Sequence, residues 1–187
     1  MDALAVASDW DKSELINGQK VMMSPAGTWH NSVGANLAGI LHNYLRGKKR
    51  CKFFYETMVY LDKDNHFIPD LMIVCDRKKI KANYVLGAPD LVIEILSFST
   101  RKNDLTVKKD AYGRAGVKEY WIVSPKEETV DVYLPHDGTL QLANCYRNYP
   151  AEEWAEMSPE ERATAELTLK VSLYDDLVID VREIFED

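Results

Sequence analysis

Three ionisable residues occupy positions where their types invite chemistry. Within GAPDLVIEILSFST, residues 87–100, Glu94 interrupts an aliphatic run. A lone carboxylate in a buried strand is costly unless something compensates it. Asp70 follows Pro69 at the start of a second aliphatic run, IPDLMIVC. Side chains alternate along a strand, so Asp90, Val92, Glu94 and Leu96 share one face, and Leu91, Ile93 and Ile95 the other. If the two runs are neighbouring strands, Asp70 and Glu94 meet at one end of a sheet, where they repel unless a cation lies between them. Mg²⁺ is the simplest such cation, because it takes oxygen ligands and keeps several waters. The plainer alternatives are a satisfied structural carboxylate at Glu94 and a turn residue at Asp70.

The third residue is Lys108. NDLTVKKDAYGRAG has helical spacing: Leu105, Lys108, Ala111, Tyr112 and Ala115 form one stripe, and Lys109 lies about 100° away. Lys108 is therefore predicted to face the sheet, with a stem long enough to return its ammonium to the carboxylates. Its alternative is a surface pair with Asp104, worth about 0.2–0.5 kcal/mol. His30 precedes Val33 by three residues on the first helix and is either an accessory group at the site or a capping or core histidine. Ser97, Ser99 and Thr100, at the start of the second helix, offer hydroxyls and backbone N–H groups to a phosphate. Asp90 after Pro89 reads as a turn residue, Tyr112 as core, and the Tyr120–Trp121 pair as core more than as a base-stacking platform.

The elements that must position these residues follow from periodicity. TWHNSVGANLAGILHNYLRG is amphipathic, with Val33, Leu37, Ile40, Leu41 and Tyr44 at helical steps and Gly47 as a stop. KFFYETMVYLDKDNHF reads as a strand closed by the turn DKDN, IPDLMIVC as a second and DLVIEIL as a third. The helix ending at Gly116 comes next, then strands EYWIV and TVDVYL separated by SPKEE. Residues 146–166 are polar and acidic, a surface loop with a short helix announced by the Ser158/Glu161 capping box. LTLKVSLYDDLVIDVREIF supplies a closing strand and short helix. Short connections predict a meander for the first three strands, and the helix after the third predicts a crossover. The expected fold is one α/β domain over residues 1–187, a mixed sheet flanked by helices.

Composition narrows the partners. The chain of 187 residues is 46% hydrophobic and 28% charged, ordinary for a globular protein. No run approaches the roughly 18 apolar residues that span a bilayer, so no membrane partner is expected. MDALAVASDWDK has no basic leader and does not read as a signal peptide. Cys51, Cys75 and Cys145 are odd in number and far apart, which suggests neither a disulfide framework nor a zinc ribbon and points to the cytoplasm. The net charge of −7 is uneven: residues 151–187 hold 12 acids and 3 bases, and residues 1–150 hold 18 acids and 20 bases. The front of the chain can therefore present a positive face. RGKKRCK at 46–52 and RKKIK at 77–81 are solvated ends and loops, or phosphate-binding patches.

Pro69-Asp70 followed by Glu94-Ile95-Leu96 resembles the PD-(D/E)XK nuclease superfamily. More narrowly, LINGQKVMMSPAGTWHNSVGANL, IPDLMIVC, the long stretch from Gly87 to Val123 and LVIDVREIF resemble the Uma-two family of restriction-endonuclease-like proteins. The resemblance implies an αβββαβ core with additional C-terminal strands and helix, and a metal-dependent endonuclease acting on DNA. It implies Mg²⁺ or Mn²⁺ on Asp70, Glu94 and the backbone carbonyl of Ile95. Leu96 stands where the superfamily's lysine normally does, and in this family the lysine is supplied by the following helix, at Lys108. Phe98 replaces a proline of the family's serine-rich turn. A catalytically silent nuclease-fold module that binds DNA or serves structure is the second class, favoured by Leu96. A metal-independent carboxylate-pair hydrolase such as a glycosidase is the third. Cutting both strands implies a two-fold homodimer.

Overall fold

The computed structural model describes residues 12–48 and 50–186. The stretch read as lacking a leader lies, apart from Lys12, outside the described residues. The chain opens with a hairpin, β1 (Ser13–Ile16) and β2 (Gln19–Met22), followed by α1 (Thr28–Leu45). Next come β3 (Lys52–Tyr55), β4 (Val59–Tyr60), β5 (His66–Phe67), β6 (Leu71–Val74), β7 (Val85–Leu86) and β8 (Leu91–Ile95). One helical stretch then runs through α2 (Arg101–Asn103), a π-helical turn (Asp104–Lys108) and α3 (Lys109–Ala115). Strands β9 (Glu119–Ser124), β10 (Thr129–His136) and β11 (Thr139–Arg147) follow, then α4 (Ala151–Glu156) and α5 (Pro159–Thr164). The chain closes with β12 (Thr168–Lys170), β13 (Val178–Asp180) and α6 (Val181–Phe185).

The central mixed sheet has the order β11-β10-β9-β8-β6-β3. β6 is antiparallel to both β3 and β8, and β8 is parallel to β9, so the helical stretch is the expected crossover. The alternation along β8 holds. Leu91, Ile93 and Ile95 pack with Val33, Leu37 and Leu41 of α1, while Val92 packs with Tyr112 of α3 and Tyr120 of β9. Leu37 and Leu41 are fully buried, each contributing about 1.5–3 kcal/mol of burial free energy. Gly34 lets α1 lie close over β8: a Cβ there would stand 3.4 Å from Ile95 Cδ1 and from the Tyr55 hydroxyl.

Three expectations change. The strand expected across KFFYETMVYL is two, β3 in the central sheet and β4 in a second sheet of order β2-β1-β5-β4-β7. Glu56, with φ 43°, breaks the extended run between them. Strands beyond the predicted elements enlarge the sheets: the β1–β2 hairpin, and β11, which forms a second hairpin with the expected β10. The two hairpin turns, Asn17-Gly18 and Asp137-Gly138, have positive φ at both residues, the type I′ geometry that matches strand twist. Finally, Cys51 and Cys75 form a disulfide, contrary to the expectation from their spacing. The register of β3 on β6 pairs Lys52 with Val74, and one step further sets the two cysteines opposite each other. The Ser158/Glu161 capping box opens α5 as expected.

Candidate active site

The β6–β8 register pairs Leu71 with Ile93, and continuing it by one residue sets Asp70 across from Glu94. Both are buried, 7% and 3% exposed, on the floor of an open cleft of about 510 Å³. Asp70 is locked by both oxygens: Oδ2 accepts the Ile95 N–H at 2.7 Å, and His30 Nε2, from the first turn of α1, lies 3.3 Å from Oδ1. Glu94 uses a single oxygen for its partners. Oε1 accepts the Tyr112 hydroxyl at 2.9 Å and lies 2.8 Å from Lys108 Nζ.

Lys108 does turn toward the sheet, and its ammonium serves three carboxylates: Glu94, Glu14 at 3.0 Å and Asp104 at 3.2 Å. The Asp104 pair anticipated on the surface thus exists, but its side chains are only 2–3% exposed. The π-helical turn carries both residues, and such turns commonly mark functional segments of helices. The Phe67 ring lies 5.5 Å from the ammonium and helps enclose it. Glu14 is held in turn by the Ile68 N–H at 2.8 Å. Glu14 and Tyr112 were not singled out for the site by sequence. Glu14 sits on a hairpin 94 residues from Lys108, and the one local signal was a carboxylate in a strand-like SELI beside an Asn-Gly turn.

Charge defines the cluster. Glu14, Glu94 and Asp104 share the one Lys108 ammonium, a formal excess of two negative charges, and Asp70 beside them faces His30. The titration shifts follow. Burial pushes the Glu94 carboxyl well above its ordinary range, with Lys108 opposing and the neighbouring carboxylates adding to the rise. Asp104 rises for the same first cause. Burial lowers Lys108, but the surrounding carboxylates outweigh it and hold the ammonium well above its ordinary value. For His30, burial lowers the imidazole while Asp70 raises it, and the net shift is upward. The Tyr112 hydroxyl, raised by burial and by Glu94, stays a donor.

Ser97 and Thr100 line the cleft and bond to each other at 3.0 Å, and Ser97 also reaches Ser99 at 3.1 Å. Asp90 stays out of the cleft, accepting the Cys75 N–H at 2.7 Å and pairing with Lys118 at 2.7 Å. Neither basic cluster contributes to the cleft lining: Lys48 pairs with Asp176, and Lys79 bonds the Ala88 carbonyl. Among the described residues no group of three or more His, Cys, Asp or Glu side chains is arranged to hold a metal ion. The donor chemistry still fits a hard cation. Two cleft-floor carboxylates, a carbonyl of the same strand and an uncompensated negative charge suit an ion that completes its shell with water.

The model of the Uma2 family, described as "Putative restriction endonuclease", matches residues 2–172. Two uncharacterized proteins of Synechocystis sp. are similar in sequence. Protein slr1290 is 26% identical over 130 residues, 68% of this chain and 68% of its own length. Protein sll1609 is 26% identical over 105 residues, 54% of this chain and 59% of its own length. Among solved structures, a "putative nuclease belonging to DUF820" from Anabaena variabilis superposes with a TM-score of 0.71 at 19% identity, covering 94% of this chain and 90% of that one. That likeness concerns the fold, a mixed sheet flanked by helices with extra C-terminal strands and helix. The chain belongs to the Uma2 family and has the restriction-endonuclease-like fold related to the PD-(D/E)XK nucleases.

Proposed function

We propose that the protein is a metal-dependent endonuclease that hydrolyses DNA phosphodiester bonds, with Mg²⁺ or Mn²⁺ held by Asp70, Glu94 and the Ile95 backbone carbonyl. One observation carries this reading: Asp70 and Glu94 meet from adjacent strands on the floor of an open cleft, beside a lysine shared by Glu94 and two further carboxylates. A bound ion supplies a lowered pKa for the attacking water and polarisation of the phosphate. The protein's own groups do the positioning. Lys108 and Tyr112 fix Glu94 through Oε1 and engage neither the other oxygen nor each other. His30 and the Ile95 N–H fix Asp70, and the imidazole, on the cleft wall, is placed to carry a proton to or from the reacting oxygens. Ser97 and Thr100 meet the phosphate from the side of α2. Lys108, engaged by three carboxylates, acts as a positioning residue.

Nicking of supercoiled plasmid with Mg²⁺ or Mn²⁺ tests the reading. Wild-type cleavage that is lost in Glu94→Gln and on chelation supports it, and chelator-insensitive cleavage contradicts it. A catalytically silent DNA-binding or structural module is the second reading, favoured by Leu96 at the usual lysine position and by the full engagement of the Lys108 ammonium. Plasmid binding without nicking in either metal supports that module.

Cleavage of both strands is proposed to use a homodimer, and light scattering that finds only the 21.4 kDa species contradicts it. Among the described residues no helix is long and apolar enough to cross a membrane. The cytoplasm is the proposed compartment, and the Cys51–Cys75 bond is the feature that pulls against it, since disulfides are rare in reducing cytosol. Thiol labelling in freshly opened cells decides: three reactive cysteines per denatured chain support the cytoplasm, and one contradicts it.

A further inference from the structure

Beside the cleft, and continuous with it through Pro25, His30 and Ser97, runs a second groove of about 750 Å³. Its lining includes Trp29, 68% exposed, and Phe98, fully exposed. These are the two most exposed large apolar side chains among the described residues. Each belongs to a segment that builds the site. Trp29 adjoins His30 in the first turn of α1, and Phe98 lies four residues beyond Glu94 in the turn that leads to α2. The groove is not a plain apolar patch. Arg101 and Lys126 stand in its wall with the Ser97 and Ser99 hydroxyls, and Arg101 is 3.8 Å from Glu127 with its side chain 54% exposed.

Resting on the nuclease reading above, we infer that this groove is a base-stacking subsite. It takes an unpaired nucleobase of the strand whose phosphate lies at Asp70 and Glu94, with Trp29 and Phe98 as the stacking faces and Arg101 and Lys126 meeting the adjoining phosphate. Inside a duplex the faces of each base are covered by its neighbours, so a protruding ring reaches one only by unstacking a step, at a cost in free energy. An unpaired base offers a free π-face, and aromatic stacking on it is strong and indifferent to sequence. An apolar peptide would use the rings but leave the cations and hydroxyls idle, whereas a nucleotide strand uses all of them. The substrate class is therefore single-stranded, flapped or frayed DNA, cut next to the unpaired nucleotide.

The test is fluorescence anisotropy with a fluorescein-labelled oligothymidylate of twelve nucleotides and a duplex of equal length, with Ca²⁺ as the divalent ion and probe integrity checked by gel. Trp29→Ala and Phe98→Ala should each weaken oligothymidylate binding about tenfold and duplex binding less than about twofold. An abasic oligonucleotide, which keeps the phosphates and lacks the bases, should bind wild type about as weakly as the variants bind oligothymidylate. Both residues are exposed, so thermal melting should match wild type. Unchanged binding of oligothymidylate by both variants, or an equal loss on the duplex, overturns the inference. Plasmid nicking with Mn²⁺ on the same preparations reports separately on hydrolysis. Wild type that nicks while variant binding is unchanged refutes only the stacking subsite. Wild type that fails to nick while binding still follows the rings refutes only the hydrolytic reading.

Discussion

Two neighbouring parallel strands of the central sheet each bury a glutamate, and the two are held in opposite ways. Glu119, at the start of β9, is fully buried and meets only neutral donors. Trp121 Nε1 bonds Oε1 at 2.6 Å, and both the backbone N–H of Ser172, at 2.8 Å, and its hydroxyl bond Oε2. Glu94, near the end of β8, meets a lysine, a tyrosine and three further carboxylates beside an open cleft. Glu119 is a completed structure: dipoles saturate both its oxygens, and nothing around it asks for another charge. Glu94 belongs to a cluster in which, among the described residues, carboxyl groups outnumber the cations that face them. Burial alone therefore does not mark a functional carboxylate. The sign and number of its neighbours are what separate the two sites.

The contrast can be broken by mutation, and the largest effect expected is on cleavage. Asp70→Asn or Glu94→Gln should lower plasmid nicking at least about a hundredfold, since each removes a charge proposed to hold the ion. Glu119→Gln should nick like wild type once corrected for the folded fraction. Equal losses at Glu94 and Glu119 would erase the distinction.

Stability should order the other way for the cation. Lys108→Met strips the shared ammonium from three buried carboxylates and should cost about 3–5 kcal/mol in urea denaturation, as breaking a buried ion pair does. Glu94→Gln relieves repulsion and should leave the midpoint unchanged or higher. Glu119→Ala leaves the Trp121 indole and the Ser172 N–H without their acceptor and should cost about 1–3 kcal/mol.

The pH dependence separates the two sites more finely. Burial raises the Glu119 carboxyl above its ordinary value, and its hydrogen bonds only partly offset the rise. A folded value above the unfolded one makes a stabilising contribution that is full below the unfolded pKa of about 4.3 and is lost as pH rises through the folded value. Melting temperature against pH should therefore fall less steeply across that window in Glu119→Gln than in wild type. A steeper fall in the variant would contradict the assignment.

The pairing of Asp70 with Glu94 was legible because it needs only local facts: two aliphatic runs, a short connection and the two-residue period of a strand. Lys108 was legible through its helical stripe, and His30 through its phase with Val33. Glu14 was not, because nothing local says that β1, in a separate sheet, returns to a lysine 94 residues away. Asp104 was legible only as a partner of Lys108, and its burial was not, because the π-helical turn changes how the two residues face the sheet. Cys51 and Cys75 escaped for a related reason. Their spacing of 24 residues says little until β3 and β6 are known to pair in a register that sets them opposite each other. Of the β10–β11 hairpin, β10 was legible in TVDVYL, whereas β11 buries only Leu140 and so carries little apolar alternation past the Asp137-Gly138 turn.

The central claim is that the surplus negative charge at Asp70 and Glu94 is completed by a divalent ion. Anomalous diffraction from crystals soaked in Mn²⁺ tests it most directly. The account predicts one strong peak bonded to a carboxylate oxygen of each residue and to the Ile95 carbonyl, absent in Glu94→Gln. A crystal with no peak there, or with the ion held elsewhere and the cluster unchanged, would contradict it.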